Sequence, residues 1–260
     1  MTRIIVTGIA GKMGSRIADL IRQTPGLQLG GATEAPGSFA IETMLPEGHL
    51  IVDDLSKTIE RGDVIIDFTS PASTLKNAML VAEHRKAMVV GTTGFSAEER
   101  SKLVQILAKV PSVFSPNMSI GVNVLLKLVA EAARLLGPDY DIEVLDIHHR
   151  QKKDSPSGTA LALAESAASA MHRDLAKVGN YHRHGEIGPR TSEEIGVQTL
   201  RAGDVVGTHT VFFGGLGETL ELTHRATNRD NFARGAILAA QWVQDKPAGV
   251  YTMADVLNLK

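Results

Sequence analysis

The stretch Ile4-Ile5-Val6-Thr7-Gly8-Ile9-Ala10-Gly11-Lys12-Met13-Gly14 decides the fold of this chain, because an apolar run gives way there to a glycine-rich turn. The β-branched run over residues 3–7 predicts a buried strand. Residues 11–23 have apolar side chains at helical spacing and predict a helix. A strand, a glycine turn and a helix in this order are the context of a dinucleotide-binding fingerprint.

The turn itself has the spacing Gly8-x-x-Gly11-x-x-Gly14, which departs from the usual G-x-G-x-x-G because Ala10 holds the middle position. Glycine allows positive φ and a close approach of the backbone to a pyrophosphate, and the helix N-terminus offers free N–H groups. The spacing favours nucleotide binding. A tight strand-to-helix turn without a ligand is the alternative.

An acidic residue, Glu34, follows the second predicted strand, residues 27–32, about 20 residues after the turn. An acidic side chain at this place can accept hydrogen bonds from the ribose hydroxyls of a dinucleotide. The alternative interpretation is that Glu34 is a solvated loop residue without a ligand. Position 35 is Ala, so no Arg stands beside Glu34 to bind a 2′-phosphate, and Lys12 could substitute only in part. We therefore expect NADH or NADPH as the cofactor, with a preference for NADH.

Short strands alternate with helices through the first half of the chain, which predicts a parallel sheet with helices on both faces. The further strands are expected at 63–68, 87–90 and 112–115, with helices from Pro71 and after Ser96. Because ligands bind at the carboxyl ends of such strands, we expect one crevice there. Its predicted lining is Phe68-Thr69, Gly91-Thr92-Thr93 and Ser115-Pro116-Asn117-Met118, and ordinary turn chemistry is the alternative for each segment.

The pattern changes after about residue 120, where longer strands follow one another. Strands are expected at 141–148, 196–201, 205–213 and 219–224, and helices at 122–136 and 157–172. The polar segment 179–194 is expected to be a loop. This half is therefore expected to be α+β with a mixed or antiparallel sheet. A helix over 231–242 and a final turn over 253–257 are expected to return to the first domain, giving domains of 1–119 with 235–260 and of 120–234.

The composition is that of an ordinary globular protein, with 43% hydrophobic and 22% charged residues among 260. The net charge of −2 argues against a nucleic-acid partner, and no apolar run approaches the length of a membrane span. Cys is absent, which excludes disulfides, thiolate metal sites and a Cys nucleophile, and fits a cytoplasmic protein.

The densest group of ionisable residues, at 146–159, lies between a predicted strand and a predicted helix. It contains His148, His149 and Lys152, and the helix starts at Ser157-Gly158-Thr159. A His that titrates near neutrality is a good proton donor, and a cation beside a helix N-terminus favours carboxylates. One of the two His residues could instead be a buried core histidine. This alternative does not explain both His residues together with Lys152. Together with a nicotinamide, this pattern predicts reduction of an acidic, unsaturated substrate.

A metal site is not expected in this segment. Adjacent residues of an extended chain point to opposite sides, so His148 and His149 cannot easily bind one ion. His182 and His184 lie far away in a predicted loop, and zinc sites require three or four convergent ligands.

Over essentially its whole length, the chain resembles the dihydrodipicolinate reductase (4-hydroxy-tetrahydrodipicolinate reductase) family. The turn at 6–14 carries the resemblance, and Ala10 is normal there. The other carriers are Ile66-Asp67-Phe68-Thr69, Gly91-Thr92-Thr93-Gly94 and the segments 115–123, 148–159 and 201–207.

The resemblance implies that His148 is the general acid/base and that Lys152 polarises or orients the substrate. His149, Gly158 and Thr159 are implied to contact the substrate carboxylates. With Phe68 from the strand-end pattern, the expected cofactor-binding residues are Gly8, Ile9, Ala10, Gly11, Lys12, Met13, Glu34, Phe68, Gly91, Thr92, Thr93, Ser115, Pro116, Asn117 and Met118. The first domain is then the dinucleotide-binding domain, and the second binds the substrate and oligomerises.

Members of this family transfer a hydride to the ring of a dicarboxylate, with loss of water, to give tetrahydrodipicolinate on the diaminopimelate route to lysine. They are usually homotetramers that assemble through the sheet of the second domain and close an interdomain hinge. Some members carry a basic residue where this chain has Ala35, and others carry one where it has Ser70. The resemblance therefore leaves the preference between NADH and NADPH open. Two other functions also stay open: a non-enzymatic NAD(H)-binding sensor, and a related reductase of another amino-acid precursor.

Overall fold

The computed structural model describes residues 1–259, which divide into two compact units. Unit 1 consists of Met1–Ile120 together with the segment from Asp230 onward, and unit 2 is Gly121–Arg229. In chain order the strands and helices are β1 (Thr2–Thr7), α1 (Lys12–Gln23), β2 (Leu27–Thr33), β3 (Val64–Asp67), α2 (Pro71–Glu83), β4 (Ala87–Val90), α3 (Ala97–Leu107), β5 (Pro111–Phe114), α4 (Ile120–Leu136), β6 (Asp141–His148), α5 (Gly158–Ala170), α6 (Leu175–Val178), β7 (Gly179–Asn180), β8 (Ile195–Arg201), β9 (Gly207–Gly214), β10 (Thr219–Ala226), α7 (Asp230–Val243), β11 (Gly249–Tyr251) and α8 (Met253–Val256).

Unit 1 is built on a six-stranded sheet in the order β11-β5-β4-β3-β1-β2, in which every neighbouring pair is parallel. Side chains alternate along β1, so that Ile4 and Val6 belong to one buried core and Ile5 to the core on the opposite face. Helices α1 and α7 contribute to the first core, and α2 and α3 to the second. The parallel sheet with helices on both faces is thus confirmed.

The edge strand β11 is a difference from the sequence prediction. It has only three residues, which is too short for a recognisable period-two pattern, and it pairs in parallel with β5. Helix α7 precedes it and buries Ala236 and Ala240 in the same core as Ile17 of α1. The last helices and strand of the described chain therefore complete the core of unit 1.

Unit 2 contains a five-stranded mixed sheet in the order β10-β9-β6-β8-β7, which confirms the expected second α+β domain. Strand β9 is antiparallel to β10 and β6, whereas β8 is parallel to β6 and β7. Ile142 and Val144 of β6 pack in one core with residues of α4 and α5. By strand alternation, Asp146 and His148 point to this same side of the sheet.

The prediction of a loop over 179–194 is wrong at its start, where β7 pairs with β8. The polar residues beyond β7 are held by ion pairs, since Arg183 contacts both Glu143 and Glu194. Ion pairs do not affect the hydrophobic periodicity of a sequence, so this periodicity could not predict that the polar segment is ordered. Strand β9 also begins two residues later than predicted, because Gly203, with a φ of +52°, belongs to the turn that leads into it.

Candidate functional site

The glycine turn between β1 and α1 has the geometry of a nucleotide-binding turn. Gly8 adopts a φ of +68°, in the left-handed region that other residues disfavour. A Cβ on Gly14 would lie 2.1 Å from the carbonyl oxygen of Gly8, so α1 can pack this closely only with glycine there. Gly11 is the N-cap of α1 and makes no side-chain hydrogen bond, so the first turn of the helix lacks a side-chain cap. Such N–H groups favour a phosphate.

Glu34 stands just after β2 and reaches back to the turn. Its Oε2 accepts a hydrogen bond from the N–H of Ala10 at 2.8 Å, and its Oε1 accepts one from the N–H of Ala35 at 2.9 Å. The carboxylate oxygens keep further lone pairs, so they can also accept from a ribose hydroxyl. Glu34 therefore holds the turn in place, a role that the sequence does not indicate.

A cavity of about 450 Å³ opens beside this turn, within the size range of small-molecule sites. It joins the predicted residues Gly8, Gly11, Glu34 and Phe68. The other lining residues come from three places: the ends of the strands, the segment that follows β2, and helix α2. They are Thr7, Thr33, Ala35, Pro36, Asp53, Asp54, Leu55, Thr69, Ser70, Ser73, Lys76 and Asn77.

The remaining predicted cofactor residues lie outside this cavity. They are Ile9, Ala10, Lys12 and Met13 of the turn, Gly91, Thr92 and Thr93 after β4, and Ser115, Pro116, Asn117 and Met118 after β5. The two strand ends are displaced because β4 and β5 lie one and two strands beyond β3 in the sheet. Phe68 nevertheless touches the β4 end, since a Cβ on Gly91 would lie 2.2 Å from its ring. The β5 end forms its own turn, in which Ser119 N–H donates to Oδ1 of Asn117 at 2.9 Å.

A buried carboxylate joins the ends of β3 and β4. Asp67, the last residue of β3, has no exposed surface and accepts hydrogen bonds of 2.7–3.1 Å from neutral donors. The donors are the N–H and hydroxyl of Thr69, the hydroxyls of Thr74 and Thr92, and the side-chain amide of Asn77. These bonds fix the residues after β3, the start of α2 and the residues after β4 relative to one another.

The acid–base residues of unit 2 lie on adjoining rows of the mixed sheet. Asp146 of β6 is opposite His209 of β9, and His148 follows two residues later on β6. Side chains two residues apart on a strand share a face, so these three groups converge. Nδ1 of His148 lies 2.7 Å from Oδ1 of Asp146, and the two imidazole rings meet edge to face with centroids 5.1 Å apart. The ring N–H is out of line with the carboxylate, so the contact is an ion-pair contact with poor hydrogen-bond alignment.

Asp146 is completely buried and is held by donors from two other segments. The N–H and the hydroxyl of Ser157 donate to it at 2.8 and 2.9 Å, and Arg201 of β8 donates at 3.2 Å. Burial raises the pKa of Asp146, but the contact with His148 and the bonds from Ser157 outweigh burial and hold that pKa well below its usual range. Asp146 is therefore a carboxylate throughout the neutral pH range.

The two neighbouring imidazoles, His209 and His224, are neutral. Burial lowers the pKa of His209 to about 4, although the Asp146 carboxylate, 3.4 Å from its Nε2, acts in the opposite direction. The hydroxyl of Ser157 lies 3.2 Å from the same nitrogen. Burial also lowers the pKa of His224, whose ring stacks on His209 with centroids 6.4 Å apart. Neither ring is a proton carrier near neutral pH.

The cationic residues after β6 differ in exposure. The Lys152 side chain is 20% exposed, and its Nζ lies 2.9 Å from Oδ2 of Asp154. Lys153 is exposed, and His149 is half-buried. Of the two lysines, Lys152 is the one whose ammonium is held in a defined place.

Helix α5 presents its N-terminus immediately after this segment. The hydroxyl of Ser157 caps it by accepting from the N–H of Ala160 at 3.1 Å. Gly158 is exposed, and a Cβ on it would meet nothing within 4 Å, whereas Thr159 is half-buried. The dipole of a 13-residue helix favours a carboxylate at this end.

Asp146, His148 and His209 also have the ligand types of a metal site, since one atom of each lies within 4.8 Å of the others. This set differs from the adjacent pair of His148 and His149, which the sequence predicts to be unable to bind one ion easily. The oxygens of Asp146 already accept from Ser157 and from Arg201, whose guanidinium would repel a cation. We interpret the cluster as a hydrogen-bonded acid–base network.

Comparison with known families identifies this combination of units. The family described as "Dihydrodipicolinate reductase, N-terminus" matches residues 2–118, and "Dihydrodipicolinate reductase, C-terminus" matches residues 121–257. The chain belongs to the dihydrodipicolinate reductase family. The resemblance seen in the sequence is thereby confirmed.

Individual members of the family match along their whole length. A 4-hydroxy-tetrahydrodipicolinate reductase from Anaeromyxobacter sp. (strain Fw109-5) is 52% identical over 265 residues, which cover 100% of this chain and 99% of that protein. One from Syntrophobacter fumaroxidans (strain DSM 10017 / MPOB) is 49% identical over 267 residues, which cover 100% of both chains. The solved structure "Dipicolinate bound Dihydrodipicolinate reductase from Paenisporosarcina sp. TG-14" shares the fold, with a TM-score of 0.79 at 23% identity over 98% of each chain.

Three residues that organise these sites have no role in the sequence analysis: Asp67, Asp146 and His209. Asp146 could have been found, because a carboxylate two residues before a His on a strand shares its face. Asp67 ends a buried apolar run and is followed by Thr and Asn, which is a weaker signal. His209 gives none, because its partners lie about 60 residues away and come together only through β-sheet register.

Proposed function

We propose that this protein catalyses the NAD(P)H-dependent reduction of 4-hydroxy-tetrahydrodipicolinate to tetrahydrodipicolinate, with loss of water, in diaminopimelate and lysine biosynthesis. Membership of the family supports this reaction, as do relatives about half identical to the chain that carry the reductase name. The observation that carries the proposal is the contact between His148 and buried Asp146, on the segment that also holds the Lys152 ammonium. An imidazole can transfer a proton to a bound dicarboxylate, and a fixed cation beside it can hold one of the carboxylates.

Within unit 2, His148 exchanges the proton and Lys152 orients the substrate. The Lys152 ammonium is paired with Asp154, which is 60% exposed, so a substrate carboxylate can replace this partner at little cost. His149, Gly158 and Thr159 bind the substrate carboxylates through an imidazole, a first-turn N–H of α5 and a hydroxyl. Each charge-assisted hydrogen bond contributes about 1.5–3 kcal/mol.

Within unit 1, the glycine turn and the strand ends bind the nicotinamide cofactor, which supplies the hydride when bound. The uncapped first turn of α1 fits a pyrophosphate, and the cavity beside Glu34 fits a ribose and its base. Unit 1 is thus the dinucleotide-binding domain, and unit 2 the substrate-binding and oligomerisation domain.

The carboxylate of Glu34 favours NADH over NADPH. It lines the cavity beside the glycine turn and would repel a 2′-phosphate. Asp53 and Asp54 line the cavity too, but each is paired at 2.6 Å with a lysine, Lys57 and Lys76, so these pairs carry no net charge. We expect a higher kcat/KM for NADH, and Glu34→Gln should narrow the difference between the cofactors. A higher kcat/KM for NADPH in the unchanged protein would contradict this preference.

The open face of the unit 2 sheet supports a homotetramer. Leu145 and Ile147 of β6 are half-buried on the face opposite the helices, and Leu200 of β8 is 47% exposed there. Partly exposed apolar residues on one sheet face are typical of an assembly surface. Light scattering coupled to size-exclusion chromatography should give four times the chain mass, and a monomer mass would contradict the assembly.

The location of the protein is proposed to be the cytoplasm, which the absence of Cys and the expected substrate support. Among residues 1–259, none of the helices has the length and apolarity that a membrane crossing requires.

A spectrophotometric assay tests the proposed reaction. With substrate generated in situ, the purified protein should consume NADH or NADPH at a rate that depends on the substrate. No consumption with either cofactor would contradict the proposal. A sensor would bind NAD(H) and tolerate His148→Ala and Lys152→Ala, whereas a related reductase would consume NADH only with a different precursor.

A further inference from the structure

We propose that Asp146 is a positioning residue for proton transfer: it holds the His148 ring with its proton on Nδ1 and so leaves Nε2 to exchange a proton with the substrate. This inference rests on the proposed function, because it assigns the nitrogen through which His148 acts. It concerns a buried group that the sequence pattern and the family match leave without a role.

The first step of the argument is that Asp146 cannot turn away from His148. Ser157 donates to both carboxylate oxygens, from its N–H to Oδ2 and from its hydroxyl to Oδ1. Arg201 donates to Oδ2 as well, and it is anchored in turn on the carbonyl oxygen of Asp154 at 2.8 Å. The carboxylate thus has a fixed plane, and Oδ1 is the oxygen that faces the imidazole.

The second step concerns the two ring nitrogens of His148. An ionised carboxylate 2.7 Å from Nδ1 favours a proton on that nitrogen, because the negative charge attracts the N–H and repels the lone pair of an unprotonated nitrogen. Nε2 lies on the other side, against the backbone of Gly207, where a Cβ would come within 3.0 Å of it. Glycine at this position avoids a side-chain contact with Nε2.

The third step concerns charge. When His148 accepts a proton at Nε2, the resulting imidazolium lies beside a carboxylate that stabilises it. The other groups around the pair cannot replace this carboxylate, because they are neutral or positive. They are His209 on β9, His224 on β10, Arg201 on β8 and Lys152 after β6, the last paired with Asp154.

The test is the pH dependence of kcat/KM for Asp146→Asn. We expect kcat to fall by roughly 10²–10⁴-fold, which is the usual contribution of general acid–base catalysis. The alkaline limb of the profile should move to lower pH, because losing the carboxylate destabilises the imidazolium. Asp146→Glu should restore the position of that limb. An unchanged limb in Asp146→Asn, with a loss confined to KM, would overturn the proposal.

Two controls separate positioning from a structural role. Asp141→Asn makes the same change at the start of β6, about 17 Å away along the strand, and should leave the limb where it is. Ser157→Ala removes the hydroxyl donor and the cap of α5, but the backbone N–H at this position and Arg201 still hold the Asp146 carboxylate, so it should lower thermal stability without moving the limb. A limb that moves equally in Ser157→Ala would assign the effect to the helix and overturn the proposal.

A second measurement needs neither a substituted protein that folds nor an active enzyme. Long-range ¹H–¹⁵N NMR of the unchanged protein reports which His148 nitrogen carries the proton when the ring is neutral. We expect the Nδ1–H form, and the Nε2–H form would overturn the assignment. An inactive protein that shows the Nδ1–H form would refute the proposed reaction while leaving the assignment of the proton to Nδ1 intact.

Discussion

Lys152 and Lys153 are neighbours with the same chemistry and different surroundings. Only the Lys152 ammonium is confined, at 2.9 Å from Asp154, and Lys153 is exposed. Lys152→Ala should therefore lower kcat/KM by roughly 10- to 150-fold, the equivalent of one charge-assisted hydrogen bond. The NADH dissociation constant should stay within about twofold, because the cofactor is assigned to the other unit.

Steady-state kinetics and fluorescence titration with NADH check this prediction, and Lys153→Ala is the matched control. It should behave like the unchanged protein in both measurements. Equal losses in turnover and in cofactor affinity for Lys152→Ala would contradict the role assigned to this residue.

Gly207 lies beside Nε2 of His148, and a side chain at this position would crowd that nitrogen. A methyl group there would lie 3.0 Å from Nε2, closer than ordinary contact, and the buried ring has little room to move. Gly207→Ala should lower kcat strongly while the far-UV circular dichroism spectrum is retained. Gly214→Ala at the other end of β9 meets no atom within 4 Å and serves as its control. Full activity of Gly207→Ala would show that Nε2 is not the exchanging nitrogen.

At the scale of secondary-structure elements, the packing of α1 on the β1 turn depends on Gly14. A Cβ there would lie 2.1 Å from the carbonyl oxygen of Gly8, and backbone atoms cannot give way cheaply. Gly14→Ala should destabilise the fold by about 1–3 kcal/mol, as overpacking does, and weaken NADH binding by displacing the helix N-terminus. Chemical denaturation and a binding titration measure the two effects. Unchanged stability would contradict the close packing described for this turn.

Most elements could be predicted from the sequence because their signals are local. Residues that are close together in the sequence predict the β1 strand, its turn and α1. The same is true of the Ser157 cap and of the alternation along β6. Strands β7 and β11 could not be predicted, because two or three residues show no period and their pairing depends on distant partners. The candidate residues were found where a motif marks them, as with Glu34, His148 and Lys152. His209 and Asp67 act only through contacts that the folded sheets create.

At the scale of the whole molecule, the buried His209 makes stability depend on pH. Its pKa falls from 6.5 to about 4 on folding, so between these values the unfolded chain binds the proton and the folded chain does not. The free energy of unfolding therefore decreases as pH falls, by roughly 2 kcal/mol between pH 7 and pH 5 from this group alone. His224, whose pKa is also lowered by burial, acts in the same direction.

Urea denaturation at pH 7 and pH 5 checks this prediction. His209→Gln should reduce the difference between the two free energies, even if it lowers both. His182→Gln, which changes an exposed imidazole, should leave the difference unchanged. A pH difference that persists in full in His209→Gln would mean that another group causes it.

The most direct measurement of the central claim, hydride transfer to the dipicolinate ring by this protein, uses NADH labelled with deuterium at C4 of the nicotinamide. The protein is supplied with 4-hydroxy-tetrahydrodipicolinate, and the product is analysed by mass spectrometry. The account predicts tetrahydrodipicolinate heavier by the mass of the label, formed much more slowly by His148→Gln although that variant still binds NADH. If the product is unlabelled both with NADH labelled on one face of C4 and with NADH labelled on the other face, or if no product forms, the account is contradicted.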